Sequence, residues 1–259
     1  MHLGANMNSC FNPFSKVPFS LAFALAVSSS GCAVTSIPAM LVTTEKANVL
    51  LCERKAISTS LGVLPIADLR PIEERDGTKP KGLYFLLWNQ RMGDYVTSDQ
   101  DFIDMSEFAM TRRIKMDLAQ TYCFSSVTMI SKSPSLSVVS HTFLRSIAVQ
   151  QKLDYILSVE LKHLYGKQRQ DAYVYIVPAI VFNTFGHDNE VKPATGYTEL
   201  RFILYDGRTG QRIWQGDVRG RQTVVEDGAY PQAAAESFAT ASQNLANQFY
   251  RFVQLKGNI

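Results

Sequence analysis

LDYILSVELKHLY, residues 153–165, decides the fold. Tyr155, Leu157, Val159 and Leu161 alternate with Ile156, Ser158, Glu160 and Lys162, the period-two pattern of a strand with one core face and one partly wet face. Gly166 is expected to end it. A strand this well marked needs partners and something to cover it, so the question is what lies on either side in the chain.

On the amino-terminal side the pattern alternates between strand and helix. LGVLPIA at 61–67 reads as a buried strand, with Pro65 arguing for an edge position or a bulge. A charged, turn-rich loop follows to Gly82, then a short apolar burst at 83–88 that suits a strand or a packed loop. A helix is expected over 104–122. Asp104 and Glu107 have capping-box spacing, and Met105, Phe108, Ala109, Met116, Ala119 and Cys123 form one face, interrupted by Arg112. A short strand at 126–130 and a second helix over 135–151, with Leu136, Val139, Phe143, Ile147 and Gln150 on one side, complete the approach.

Beyond the central strand, residues 199–205 and 212–218 read as a hairpin joined by Asp206-Gly207-Arg208-Thr209-Gly210, residues suited to a tight loop with positive φ. The last helix, 231–255, starts with Pro231 in its first turn and buries Phe238, Ala241, Leu245, Phe249 and Phe252, with Gly257 as its stop. Strands linked through helices demand crossovers. The expected class is therefore α/β (α+β), a mixed β-sheet with helices packed on it.

The organisation before this domain is read from residues 17–32, VPFSLAFALAVSSSGC. The apolar run 17–27 is long enough for a signal-peptide core and shorter than the about 20 residues that cross a bilayer. Lys16 supplies the preceding positive charge, and small residues lead to Cys32. This end resembles the lipidation box of bacterial lipoproteins, with Ser29 where that family usually has an aliphatic residue. The resemblance implies lipid (palmitate) attachment at Cys32, and Ala33 after it implies sorting to the outer membrane. Ordinary cleavage near Gly31 and Ala33, or an apolar helix that stays in the fold, are the other readings. The expected organisation is a signal peptide over 1–32, a tether over 33–60 and one α/β domain over 61–259.

Of the 259 residues, four are cysteines, and the formal net charge is +3. The charge is spread along the chain with no long basic run, which gives nucleic-acid binding little support. Cys10 would leave with the leader and Cys32 would carry lipid, so Cys52 and Cys123 remain. Export permits them to pair; their apolar neighbours suit two buried free thiols equally. No close Cys or His pair has zinc-ligand spacing, and no metal or cofactor is expected. There is no nucleophile elbow, metalloprotease helix or phosphate loop, so no catalytic residue is assigned.

Three candidate sites are weighed. The loop Gly186-His187-Asp188-Asn189-Glu190 reads as solvated, because adjacent residues do not easily converge on one ion. Asp68 and Arg70 stand at the carboxyl end of a strand, where open α/β sheets place ligands, and an ion pair there is the plainer reading. The apolar, aromatic stretch 172–186, AYVYIVPAIVFNTFG, is either a buried hairpin or a protruding contact for a membrane or partner. Its contact candidates are Tyr173, Tyr175, Ile176, Ile180, Val181, Phe182 and Phe185.

With these elements placed, three stretches look familiar: Asp68-Leu69-Arg70-Pro71, the strand from Leu153 to Gly166, and the Asp206 to Trp214 turn with Thr209-Gly210. Together they resemble envelope lipoproteins of α/β type, including the TolB amino-terminal domain, the curli secretion lipoprotein, penicillin-binding-protein activators and auxiliary lipoproteins of lipid-transporting ABC systems. The resemblance spans most of residues 61–255 and implies a scaffold or adaptor role in the cell envelope; with the 17–32 segment and the lack of a catalytic motif, the expected function is a non-enzymatic outer-membrane lipoprotein that binds an envelope protein partner. The alternatives are a lipid or small-molecule carrier serving an ABC transporter, and an exported enzyme whose motifs are not readable.

Overall fold

The computed structural model describes residues 38–40, 49–52, 57–79, 82–85, 88–131, 140–175 and 192–256, all within the unit Thr35–Ile259. Eight strands form one mixed sheet: β1 (Ile57–Val63), the two-residue β2 (Ala67–Asp68), β3 (Gly82–Phe85), β4 (Trp88–Val96), β5 (Phe124–Met129), β6 (Tyr155–Tyr175), β7 (Ala194–Asp206) and β8 (Arg212–Val224). The helices are α1 (Ile72–Asp76), α2 (Glu107–Gln120), α3 (His141–Gln151) and α4 (Tyr230–Lys256). The α/β class with a mixed sheet is thus the observed one.

β6 is the spine. Its first half pairs in parallel with β1 and β2, its second half pairs antiparallel with β4, and its other side carries β7 from Tyr155 to Gln168. β1 also pairs in parallel with β5, and β7 pairs with β8. Gly166 does not end β6, which runs on to Tyr175. Its lack of a side chain serves the helix above: a Cβ on Gly166 or on its cross-strand partner Gly196 would collide with the α4 carbonyls of Tyr230 and Ala233. The glycine reads as a breaker in sequence and acts as a landing site in the fold.

Pro65 falls in the break between β1 and β2, and β1 lies inside the sheet between β5 and β6. The proline therefore marks an interruption and no edge. β1 begins at Ile57, inside the stretch read as a tether. Within that stretch Ala39 N–H donates to the Asp101 carbonyl (3.0 Å), Leu50 N–H to Asn247 Oδ1 (2.7 Å) and Cys52 N–H to the Thr121 carbonyl (2.8 Å).

α2 and α4 cover one face of the sheet and α3 covers part of the other. α4 buries Phe238, Ala241, Leu245 and Phe249 fully, at about 1.5–3 kcal/mol for each large side chain. α2 presents a different face from the expected one: Met110, Ile114 and Leu118 are buried and Phe108 is exposed. Arg113 and Asp117 lie on the buried side with Nε to Oδ2 at 3.0 Å. Each charge is compensated by the other, so a charged pair occupies positions that a hydrophobic pattern leaves to solvent. The start also differs, since Ser106 is the cap, its Oγ accepting from Ala109 N–H (3.1 Å).

α3 begins at His141 after the capping Ser140 and buries Leu144, Ile147 and Ala148 over Ile156 and Ile130, while Gln150 is exposed. The residues 132–139, where this helix was expected to start, lie outside the described residues.

Candidate functional site

Among the described residues, part of the sheet's second face has no long helix over it. α3 covers the second face where it packs with Leu64, Ile130, Ile156 and Tyr205. Further along that face β6 carries an irregularity between Leu161 and His163, so Lys162 is an extra residue. Strict alternation would turn His163 inward with Leu161. The bulge instead turns His163 and Tyr165 outward and keeps Leu164 fully buried.

The outward residues of three strands then meet. His163 faces Glu199, Tyr165 faces Tyr197, and on the next strand Tyr197 faces Arg221 and Glu199 faces Arg219. All of these but Arg219 line a depression of about 680 Å3, closed on one side by Glu74 of α1. Glu74 Oε1 lies 2.6 Å from His163 Nδ1, and its Oε2 accepts from Leu164 N–H at 3.1 Å. Tyr197 Oη donates to Glu199 Oε2, which also accepts from Arg219 Nε at 3.1 Å. That tyrosine bond, with the arginine, holds the Glu199 carboxyl below its ordinary range against the effect of burial. Burial first, then the neighbouring carboxylate, pushes the Tyr197 phenol up. The Arg221 guanidinium lies 5.4 Å from the centre of the Tyr197 ring, and the Tyr165 ring 5.5 Å from it. The result is an aromatic ledge edged with charge, suited to holding a polar ligand or a protein segment.

The sequence-stated candidates fall elsewhere. Tyr173 and Tyr175 lie at the end of β6, opposite Gln90 and Trp88 of β4. Ile176, Ile180, Val181, Phe182 and Phe185, and the loop around His187, lie outside the described residues, as does Cys32. Asp68 and Arg70 form an ion pair, with Arg70 Nη2 2.7 Å from Asp68 Oδ2 and 2.9 Å from Asp99 Oδ1. Cys52 and Cys123 are joined in a disulfide, with Cα atoms 5.2 Å apart. No group of His, Cys, Asp and Glu among the described residues could hold a metal ion, and no helix there is long and apolar enough to cross a membrane.

Sequence reasoning missed the groove because it needs the register of three strands and a bulge. Its one trace is alternation: Thr195, Tyr197, Glu199 and Arg201 share a face, as do Asp217, Arg219, Arg221 and Thr223.

Comparison of the sequence with protein-family profiles gives no match, and comparison with curated proteins gives none. Solved structures with a related layout include a Xanthomonas campestris protein of the DUF330 family (10% identity, TM-score 0.45, 82% of this chain and 94% of that one). Lipoprotein GNA1162 from Neisseria meningitidis is another (11% identity, TM-score 0.32, 78% of this chain and 100% of that one). The LpoB C-terminal domain from Salmonella enterica is a third (14% identity, TM-score 0.27, 66% and 85%).

Proposed function

We propose that this chain is an exported, lipid-anchored and non-enzymatic module of the cell envelope, which presents its α/β domain at the periplasmic face of the outer membrane and binds a protein partner. The observation that carries the binding role is the groove on the part of the sheet that no long helix covers among the described residues, lined by Tyr165, Tyr197 and Arg221. The export and anchor rest on the 17–32 segment, and the Cys52–Cys123 bond fits an oxidising compartment. The non-enzymatic role rests on a sequence without a catalytic motif. A lipid carrier would need an apolar cavity; this depression is lined by charged, hydroxylic and aromatic side chains.

Two measurements test the proposal. A clickable fatty acid fed to cells should label the wild-type chain and fail to label Cys32→Ala; equal labelling, or none in either, removes the anchor. A photo-crosslinking amino acid at Tyr165 should give one discrete heavier adduct in intact cells, and the same probe at the exposed Arg208 should not. The same pattern of adducts from both positions would overturn the binding role.

A further inference from the structure

The groove and the strand beside it hold two kinds of group, spent and unspent. Both groove carboxylates are spent: Glu74 on His163 and on the Leu164 N–H, and Glu199 on Tyr197 and Arg219. Arg221 is not. Its guanidinium is exposed over the Tyr197 ring, and no carboxylate among the described residues pairs with it. What Arg221 lacks is a carboxylate partner.

The second feature is the free edge of β8, which pairs with β7 and with no other strand among the described residues. Asn244 Nδ2 donates to the Arg219 carbonyl at 2.8 Å, an oxygen already turned away from β7. By strand alternation the backbone groups of Asp217, Arg221 and Thr223 also point to that free edge. The side chains of these residues stand on the groove face, because Val218 between them is buried in the core below and a Cβ on Gly220 would strike the α4 carbonyl of Ser237. Unpaired backbone groups and an unpaired guanidinium thus come from the same residue, Arg221. A segment that adds to the edge with a residue opposite Arg221 places that residue's side chain on the groove face.

We propose that β8 takes an extended acidic segment of a protein partner as an added strand, with a carboxylate across from Arg221 on the groove face. This rests on the partner-binding reading above and specifies the chemistry of that partner. A protein is favoured over a free anion because backbone donors and acceptors are offered along the edge as well as charge at one point. Asn244 occupies the Arg219 carbonyl, so pairing starts from Arg221 and proceeds towards Thr223.

The test uses the full chain in detergent and fluorescence anisotropy of a dye-labelled eight-residue peptide that alternates glutamate with valine. Its glutamine-for-glutamate counterpart should bind about tenfold more weakly. Arg221→Glu should weaken the glutamate peptide by about tenfold as well, and Arg221→Gln by less, while Arg208→Glu on the hairpin turn leaves it unchanged. A peptide N-methylated at alternate residues, which lacks the edge-facing donors, should lose binding. Equal binding of the two peptides, indifference to Arg221→Glu, full binding by the N-methylated peptide, or complete competition by inorganic phosphate each overturns the proposal. If one of these results is found while the Tyr165 crosslink persists, the acidic strand falls and the partner-binding reading stands.

Discussion

The backbone N–H of Leu164 donates to Glu74 Oε2 at 3.1 Å, in the stretch of β6 that no strand flanks on that side. Pairing with β2 stops at Leu161 and pairing with β4 starts at Lys167. Between them the ladder is completed by other groups. The Leu69 N–H donates to the Leu161 carbonyl (2.9 Å), Gly166 N–H to Thr97 Oγ1 (2.9 Å), and Thr97 N–H to the Gly166 carbonyl (3.0 Å). The obligation to satisfy buried backbone groups therefore ties α1 to the sheet and makes Glu74 a wall of the groove.

Glu74→Ala should consequently cost about 1–3 kcal/mol, because it leaves the Leu164 N–H without an acceptor and His163 without its carboxylate. Urea unfolding gives the magnitude. Amide exchange gives the location: Leu164 should exchange faster, while Leu157, flanked by β1 and β7 and fully buried, should not.

Gly196→Ala tests the landing of α4. The new methyl would meet the Ala233 carbonyl on the facing helix, and the atoms it strikes are backbone, so no side chain can swing aside. A loss above about 3 kcal/mol, or failure to fold, is expected. Gly216→Ala meets the ring of Phe202 instead, which can tilt, and should cost less. Equal midpoints for the two variants would mean that α4 is not seated as described.

Much of this fold was legible from single-element patterns. The 199–218 hairpin, the start of α4 and its Phe238, Leu245 and Phe249 stripe, and the strand–helix alternation all follow from periodicity. What was not legible depends on pairing at a distance. Gly166 looked terminal because its reason for being glycine is Tyr230, which comes much later in the chain. The buried face of α2 was misread because Arg113 and Asp117 look like solvent-facing residues until they are seen together. The contact between His163 and Glu74 had no local signal at all.

The Asp68–Arg70 pair predicts a pH limit. Burial alone would raise the Asp68 carboxyl, but the hydrogen bonds and charge of Arg70 outweigh it and hold the group below its ordinary value. A depressed folded value means the contribution is present above the unfolded value, about 3.9, and is lost as pH falls through the lower folded one. Urea midpoints measured from about pH 5 down to about pH 2 should fall, and Asp68→Asn should flatten that fall. At neutral pH the same variant should cost about 3 kcal/mol, since Arg70 stays buried with Asp99 as its remaining partner. An unchanged acid limb would place the acid sensitivity in another group.

The Cys52–Cys123 bond predicts how strongly the segment before β1 is held. It closes a loop with a sequence separation of 71, for which chain entropy gives about 4 kcal/mol of stabilisation. Reduction, or the pair of substitutions Cys52→Ser and Cys123→Ala, should lower the unfolding free energy by about 2–4 kcal/mol. Cys123 is fully buried in the connection between α2 and β5, so alanine there also removes core volume; Cys52→Ser alone, which frees the tie but keeps the Cys123 thiol, separates the two effects. Maleimide labelling of the denatured, unreduced chain should leave both cysteines unmodified. Quantitative labelling would show free thiols, and the segment would then rest on backbone bonds such as Cys52 N–H to Thr121 alone.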